Sequence, residues 1–293
     1  MNSINLIELG RITSDERESF RYHLCNKFKD LSCPNCGRHE YYFMSRQRLR
    51  CKICGNDSIP LKSTKFSEIK ISASRWLTLI KLFELSVSAR KASVEMNMSY
   101  KTTLKAFDIL RKAIAEELSK CDDILKGEIE LDESYFGGKQ KGKRGRGAAG
   151  KTIVFGILER GGKVSIKIVK NVTAETLMSE TVKKVRRGSI VYTDKWKGYD
   201  SLMFSGYRHL NIDHRYKFKE GKVFINGVEG FWSFAKERLI KYHGISKHKF
   251  ILYLKEMEWR YNNRNEDLFE MLVYYMLGRN ELKLSKVICV KTN

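Results

Sequence analysis

Two Cys-x-x-Cys pairs constrain this chain more than any other feature. Cys33 and Cys36 open the segment CPNCGRHEYYFMSRQRLRCKICG, Cys51 and Cys54 fall near its end, and fourteen residues separate the pairs. Each knuckle must turn tightly to aim two thiolates at one point, and the glycine after each pair, Gly37 or Gly55, permits the positive backbone angle such a turn needs. A segment this short cannot bury a core, so the spacing predicts a small zinc ribbon in which one tetrahedral ion replaces it. Four thiolates leave no open coordination position, which makes the zinc structural. The remaining cysteines, Cys25, Cys121 and Cys289, read as ordinary thiols of a reducing compartment.

Charge narrows the partner. The 293 residues carry 56 lysines and arginines against 34 acids, a net charge of +22 spread along the whole chain. That excess is self-repulsive unless a polyanion relieves it, so nucleic acid is the expected partner. No signal peptide opens the sequence, and the longest apolar run, Met271 to Leu277, is too short to cross a bilayer. The expectation is a cytoplasmic, nucleoid-associated protein without a membrane partner.

Between Ile71 and Glu117 the apolar residues recur at helical spacing, as in Trp76, Leu79, Ile80 and Phe83. A short helix from Ala89 to Met96 is followed by Ser99, an N-cap candidate for a helix running from about Tyr100 to Glu117. The pair has the form of a helix-turn-helix, and Arg90, Lys91, Lys101 and Lys105 are its candidate phosphate contacts. A plain helical bundle with a solvated basic face has the same pattern.

After Asp123 the period changes. Glu128 to Ser134 alternates, Lys151 to Glu159 is an apolar run, and Gly162 to Lys170 alternates again, which implies a three-stranded meander. A helical stretch from Ala174 to Val185, a strand from Ser189 to Thr193, a further strand near His209 to Asp213 and helices from Asn226 onward complete an α/β domain. Between the first two strands, GGKQKGKRGRGAAGK holds six basic residues and six glycines, among them Lys143, Arg144, Arg146 and Lys151. It reads as a cationic strap able to close on a phosphate backbone.

Three acids stand out. Asp132 shares one face of its strand with Glu128 and Glu130, Asp194 sits at the carboxyl end of an apolar strand, and Glu229 opens a helix whose core face is Val228, Phe231 or Trp232, Ala235 and Leu239. Asn226 and Glu229 also have the spacing of a capping box, a purely structural use of the same residues. Carboxylates from two strand ends and a helix start suit a pair of magnesium or manganese ions and displacement at phosphorus with no covalent nucleophile. Recombinases with a serine or tyrosine nucleophile fit poorly, because Ser134, Tyr135 and Tyr199 lie beside the proposed ligands.

The cysteine ribbon, LDESYFGG with GKRGRGAAGK, YTDKWKGY, the stretch from Asn226 through Lys236, and WRYNNR together resemble the DDE transposases of bacterial insertion sequences, in the zinc-ribbon-bearing, ISXO-like subfamily. The resemblance covers about residues 30 to 275. It implies an RNase H-like mixed sheet flanked by helices, with Asp132, Asp194 and Glu229 as magnesium ligands and Lys236, seven residues beyond Glu229, on DNA. Asn226 is the second choice for the third ligand, and Lys195 joins the DNA-contacting set. The implied activity is 3′-end cleavage and strand transfer on double-stranded transposon ends and target, by a dimer or larger assembly. A DNA-binding regulator without catalysis and an RNase H-like nuclease without strand transfer are the competing readings. The expected organisation is a ribbon-bearing segment over 1–60, a helix-turn-helix region over 61–122, the catalytic domain over 123–280 and a tail over 281–293. The aromatic residues Tyr253, Trp259, Tyr261, Tyr274 and Tyr275 read first as core and second as an assembly surface.

Overall fold

The computed structural model describes residues 4–27, 32–45, 47–121, 123–137, 151–194, 206–212 and 225–278. Two compact units emerge: the described residues up to Glu117 together with those from Asn265 onward, and the residues from Leu118 to Arg264.

In the first unit, α1 (Leu6–Thr13) and α2 (Glu16–Lys27) precede an antiparallel ribbon of β1 (Tyr41–Met44), β2 (Arg48–Cys51) and β3 (Asp57–Ser58). A 3₁₀ turn leads to α3 (Ala73–Glu84), α4 (Ala89–Glu95) and α5 (Tyr100–Lys120). Trp76, Leu77, Leu79, Ile80 and Phe83 of α3 are buried, as are Ala106, Phe107, Leu110 and Ile114 of α5, so the helical period does generate a shared apolar face. Ser99 caps α5 as its position suggested, its Oγ accepting from the Thr102 N–H at 3.3 Å. Glu16 does the same for α3 from a distance in sequence, taking the N–H groups of Ala73 and Ser74 at 2.7 and 3.1 Å.

The last described helix, α9 (Leu268–Met276), belongs to this unit, whereas the sequence reading placed it at the end of the domain over 123–280. Phe269 is fully buried with Tyr22 against its ring, and the Tyr22 hydroxyl donates to the Glu270 carboxylate. An apolar stripe requires burial but does not specify the surface that provides it. Trp259, Tyr253 and Tyr275 are buried, in keeping with the core reading of the C-terminal aromatics.

His23 is wholly buried and donates from Nε2 to the Ala73 carbonyl at 3.2 Å. Burial pushes its pKa down to about 4, against the opposing pull of that carbonyl and of Glu16. The folded chain thus holds a neutral imidazole while the unfolded chain protonates near pH 6.5. Stability is complete above that value and falls as pH drops toward about 4, by roughly 3 kcal/mol in all. Urea denaturation across this window is expected to show the loss, and His23→Gln to flatten it by about one proton.

The second unit is a five-stranded sheet in the order β6-β5-β4-β7-β8. β4 (Glu128–Phe136), β5 (Thr152–Glu159) and β6 (Val164–Val169) form the antiparallel meander. The chain crosses through α6 (Ala174–Lys184) to β7 (Ile190–Asp194), which runs parallel to β4, and β8 (Arg208–Ile212) runs parallel to β7. That strand order with this mixture of directions is the RNase H-like sheet. Ile129, Leu131, Phe155, Ile157 and Val191 pack with Leu177 of α6 on one face. Val154, Leu158, Val164 and Ile166 pack on the other with α7 (Asn226–Leu239) and α8 (Lys247–Asn262). The WRYNNR segment ends α8, and its Asn262 amide pairs with both the N–H and the carbonyl of Val164, at 2.8 and 2.9 Å, closing the edge strand β6. No described helix is long and apolar enough to cross a membrane.

Candidate active site

The parallel pairing of β4 with β7 brings the first two acids side by side just past the end of that ladder; Asp194 ends its strand as expected, whereas Asp132 lies mid-strand, since β4 continues to Phe136 against β5. The last paired residues are Glu130 and Tyr192, and two residues beyond each, on the same face by the pleat, stand Asp132 and Asp194. Glu229 lies in the first turn of α7, the helix laid across β4 and β5. The Asp132 pKa is pushed up to about 7, chiefly by burial, then by the neighbouring Glu133 charge, and further by Asp194 and Glu229. A carboxylate that feels two others while shielded from water is the donor set a divalent cation relieves, and hard oxygen ligands suit magnesium or manganese. The three acids are more widely spaced than the four thiolates, the one metal-binding group of described residues whose ligand atoms all lie within 4.8 Å.

Glu229 is not engaged as a cap. The helix begins at Asn226 itself, its N-cap position is Ile225, and no N-cap side chain bonds to its first turn. The capping-box alternative for Asn226 and Glu229 is therefore overturned: both residues are exposed, and the buried donor at Val228 is taken instead by Glu130 Oε2 at 2.9 Å. Lys236 is exposed further along the helix, its Nζ 5.9 Å from the ring centre of Phe136. Val228, Phe231, Trp232, Ala235 and Leu239 are all buried, so both aromatic candidates for the core face serve it.

Gly156 makes this packing possible. It is the β5 partner of Asp132, and a Cβ there would sit 2.5 Å from Trp232 Cζ2 and 3.3 Å from Val228 Cγ2. Gly156→Ala is expected to lift α7 and destabilise the unit by roughly 1–3 kcal/mol, seen as a lower thermal midpoint. Sequence reasoning singled out neither Gly156 nor Glu130, though the alternation along β4 put Glu130 on the same face as Asp132.

The ribbon forms as its spacing demands. Cys33 and Cys54 Sγ are 3.6 Å apart and Cys36 and Cys51 Sγ 3.5 Å, close to the edge of about 3.8 Å expected for a tetrahedron of zinc–sulfur bonds. Gly37 and Gly55 adopt φ of 71° and 70°, and each donates back to the first cysteine of its knuckle. Cys121 is exposed and free; the Cys25 side chain and Cys289 fall outside the described residues.

Arg90, Lys91, Lys101 and Lys105 are exposed on the α4 and α5 pair, with the Arg90 guanidinium 5.4 Å from the ring centre of Tyr100. Lys151 is half-buried just before β5. Lys143, Arg144, Arg146 and Lys195 lie outside the described residues.

Residues 124–262 match the family model of the ISXO2-like transposase domain. An uncharacterized transposase-like protein of Haemophilus influenzae is 46% identical over 101 residues, which are 34% of this chain and 82% of that protein. The chain belongs to the ISXO2-like transposase family. Its matched segment spans the sheet and both helices on the acidic face, so the family's domain coincides with the unit that carries the three acids. A second family relative, an uncharacterized protein in transposable element ISH50 of Halobacterium salinarum, is 26% identical over 253 residues, covering 78% of this chain and 84% of that one. Among solved structures, the Mos1 transposase paired-end complex with the left transposon end is similar at 11% identity and a TM-score of 0.31, over 70% of this chain and 76% of that chain.

Proposed function

We propose that this transposase cleaves the 3′ ends of its own insertion element and joins them to target DNA, at a divalent-metal site made by Asp132, Asp194 and Glu229. The observation that supports the reading is the side-by-side placement of Asp132 and Asp194 on neighbouring parallel strands, together with the field of Asp194 and Glu229 at the shielded Asp132 carboxylate, although the two lie 62 and 97 positions away in the sequence. Bound magnesium or manganese would supply Lewis-acid polarisation of the scissile phosphate and activation of the attacking hydroxyl.

The protein's own part is to hold and orient. The two aspartates project from neighbouring parallel strands, Glu229 approaches from the helix above them, and Lys236 offers a cation for a phosphate along that helix. Water attacks first and the freed 3′-hydroxyl second, so no side chain forms a bond to DNA. The Glu229 charge reaches the Asp132 carboxylate, which supports Glu229 as the third ligand, with Asn226 as the alternative. The net charge of +22 supports double-stranded DNA as partner, with Arg90, Lys91, Lys101, Lys105, Lys143, Arg144, Arg146, Lys151 and Lys195 as its proposed contacts, and zinc in the ribbon. Two ends must be held together, so the active species is a dimer or larger, working in the cytoplasm on the nucleoid.

The test is a duplex carrying the element's flanking ends, incubated with the protein and magnesium or manganese, beside Asp194→Ala. Cleaved and joined products that vanish in the variant, and in Glu229→Ala but not Asn226→Ala, are the expected result. Nicking without joining would make the chain a nuclease, and binding without either a DNA-binding regulator.

A further inference from the structure

We infer that Glu130 is the positioning residue of the carboxylate site: its side chain ties the strand that carries Asp132 to the helix turn that carries Glu229. The inference rests on the reading of Asp132, Asp194 and Glu229 as metal ligands.

Glu130 is only 1% exposed, a position where a carboxylate is tolerated only if it is paired and hydrogen-bonded. Both oxygens are engaged. Oε1 accepts from Arg160 Nε at 2.8 Å, and Oε2 accepts from the Val228 N–H at 2.9 Å. Arg160 is fixed in turn by Glu128 Oε2 at 2.6 Å and by the ring of Tyr192, whose centre lies 3.7 Å from its guanidinium carbon. With its oxygens turned to these donors, Glu130 is not available as a fourth metal ligand.

The placement is one layer beneath the acids. Glu130 precedes Asp132 by two residues, Tyr192 precedes Asp194 by two, and Glu130 and Tyr192 are register partners. Each pair is therefore separated by one pleat repeat, about 6.6 Å, along its strand. Val228 directly precedes Glu229. The ring, guanidinium and carboxylate of this layer thus touch all three backbone segments that bear the acids. A cap supplied by the helix's own N-cap residue would steady only the helix end, whereas a cap supplied by β4 also fixes the helix to the strand. The approach is close: a Cβ on Gly227 would lie 2.9 Å from Glu130 Oε2, so the helix turn rests on that carboxylate.

Reach and charge can be separated. Glu130→Asp keeps a charge for Arg160 but is one methylene too short for Val228. Glu130→Gln/Arg160→Met keeps an acceptor for Val228 and strands no buried charge, which favours a folded protein. Manganese affinity of the full chain, read by the paramagnetic signal of free Mn²⁺, is expected to fall about 10–100-fold in Glu130→Asp, the scale of losing an outer-shell partner, and much less in the double variant. The cleavage rate at saturating DNA should follow the same order, with KM for DNA unchanged. A folded Glu130→Asp with wild-type manganese affinity, or a double variant that loses as much or more, would overturn the inference, because a role in charge pairing alone gives that order. If the double variant does not unfold cooperatively, Glu130→Asp decides alone. Asp132→Ala in the same titration checks the underlying reading: manganese bound as tightly as by the wild type would sink the metal site itself, whatever Glu130 does.

Discussion

Stripping zinc from the chain is expected to melt residues 33–58 while leaving the helices α3 to α5 folded. A structural zinc on four thiolates contributes about 10–16 kcal/mol at neutral pH, as much as or more than the whole stability of an ordinary domain. The ribbon has little else: Leu49 and Cys51 are its fully buried side chains, while Tyr42 and Ile53 are exposed. Its contacts with α2 include an aromatic edge, Phe20 against Phe43 at 6.2 Å with Arg21 over the same ring, and the Gln47 amide donating to Glu16 at 3.3 Å. The helices α3 and α5, in contrast, bury Trp76, Phe83 and Phe107 among aliphatic neighbours and hold their own core. Hydrogen exchange before and after chelation should lose protection over the ribbon alone, and Cys51→Ser should reproduce the loss with zinc present. Unchanged protection in residues 33–58 would mean that the cysteines need no metal.

Asp132→Asn is expected to stabilise the protein held without magnesium or manganese, its ribbon zinc left in place, while abolishing its activity. The folded state holds the Asp132 proton to about pH 7 because of burial and the neighbouring Glu133, Asp194 and Glu229, whereas the unfolded chain releases it near 3.8. Between those values the native state binds more protons, so stability falls as pH rises through the window. About three pH units at about 1.4 kcal/mol each make the loss up to roughly 4 kcal/mol above pH 7. Asparagine keeps the shape and removes the charge, so the variant should unfold at a higher temperature at pH 7.5 and show a flatter dependence between pH 4 and 7. Cleavage should drop by more than about 100-fold, beyond the cost of losing an outer-shell partner. Such opposed effects are the mark of a group kept for chemistry at the expense of stability. A variant that is both inactive and less stable would instead make Asp132 a structural hydrogen-bonding group.

Much of the local structure was legible before any coordinates. The knuckle turns, the Ser99 cap, the meander and the buried face of α7 follow from interactions within a few residues, and each is governed by a spacing that can be counted. Asp194 stood out for a similar reason, since an ionisable group at the end of an apolar strand has no packing role to explain it. The cap of α7 was not legible. Asn226 and Glu229 have the spacing of a capping box, but the Val228 donor is satisfied by Glu130, 98 residues earlier. Nothing in a helix's own sequence reveals that a strand will supply its acceptor.

The sequence by itself determined the elements, the cysteine knuckles and the residue types that could meet a metal, because backbone periodicity and coordination chemistry act over short range. Only the tertiary structure decided which surface α9 would cover, that Gly156 must leave room for Trp232, and that Asp132 would feel the charges of Asp194 and Glu229. Those outcomes depend on distances between segments far apart in the chain, and they are set by packing and by buried charge, which arise only once the sheet and its helices have closed on each other.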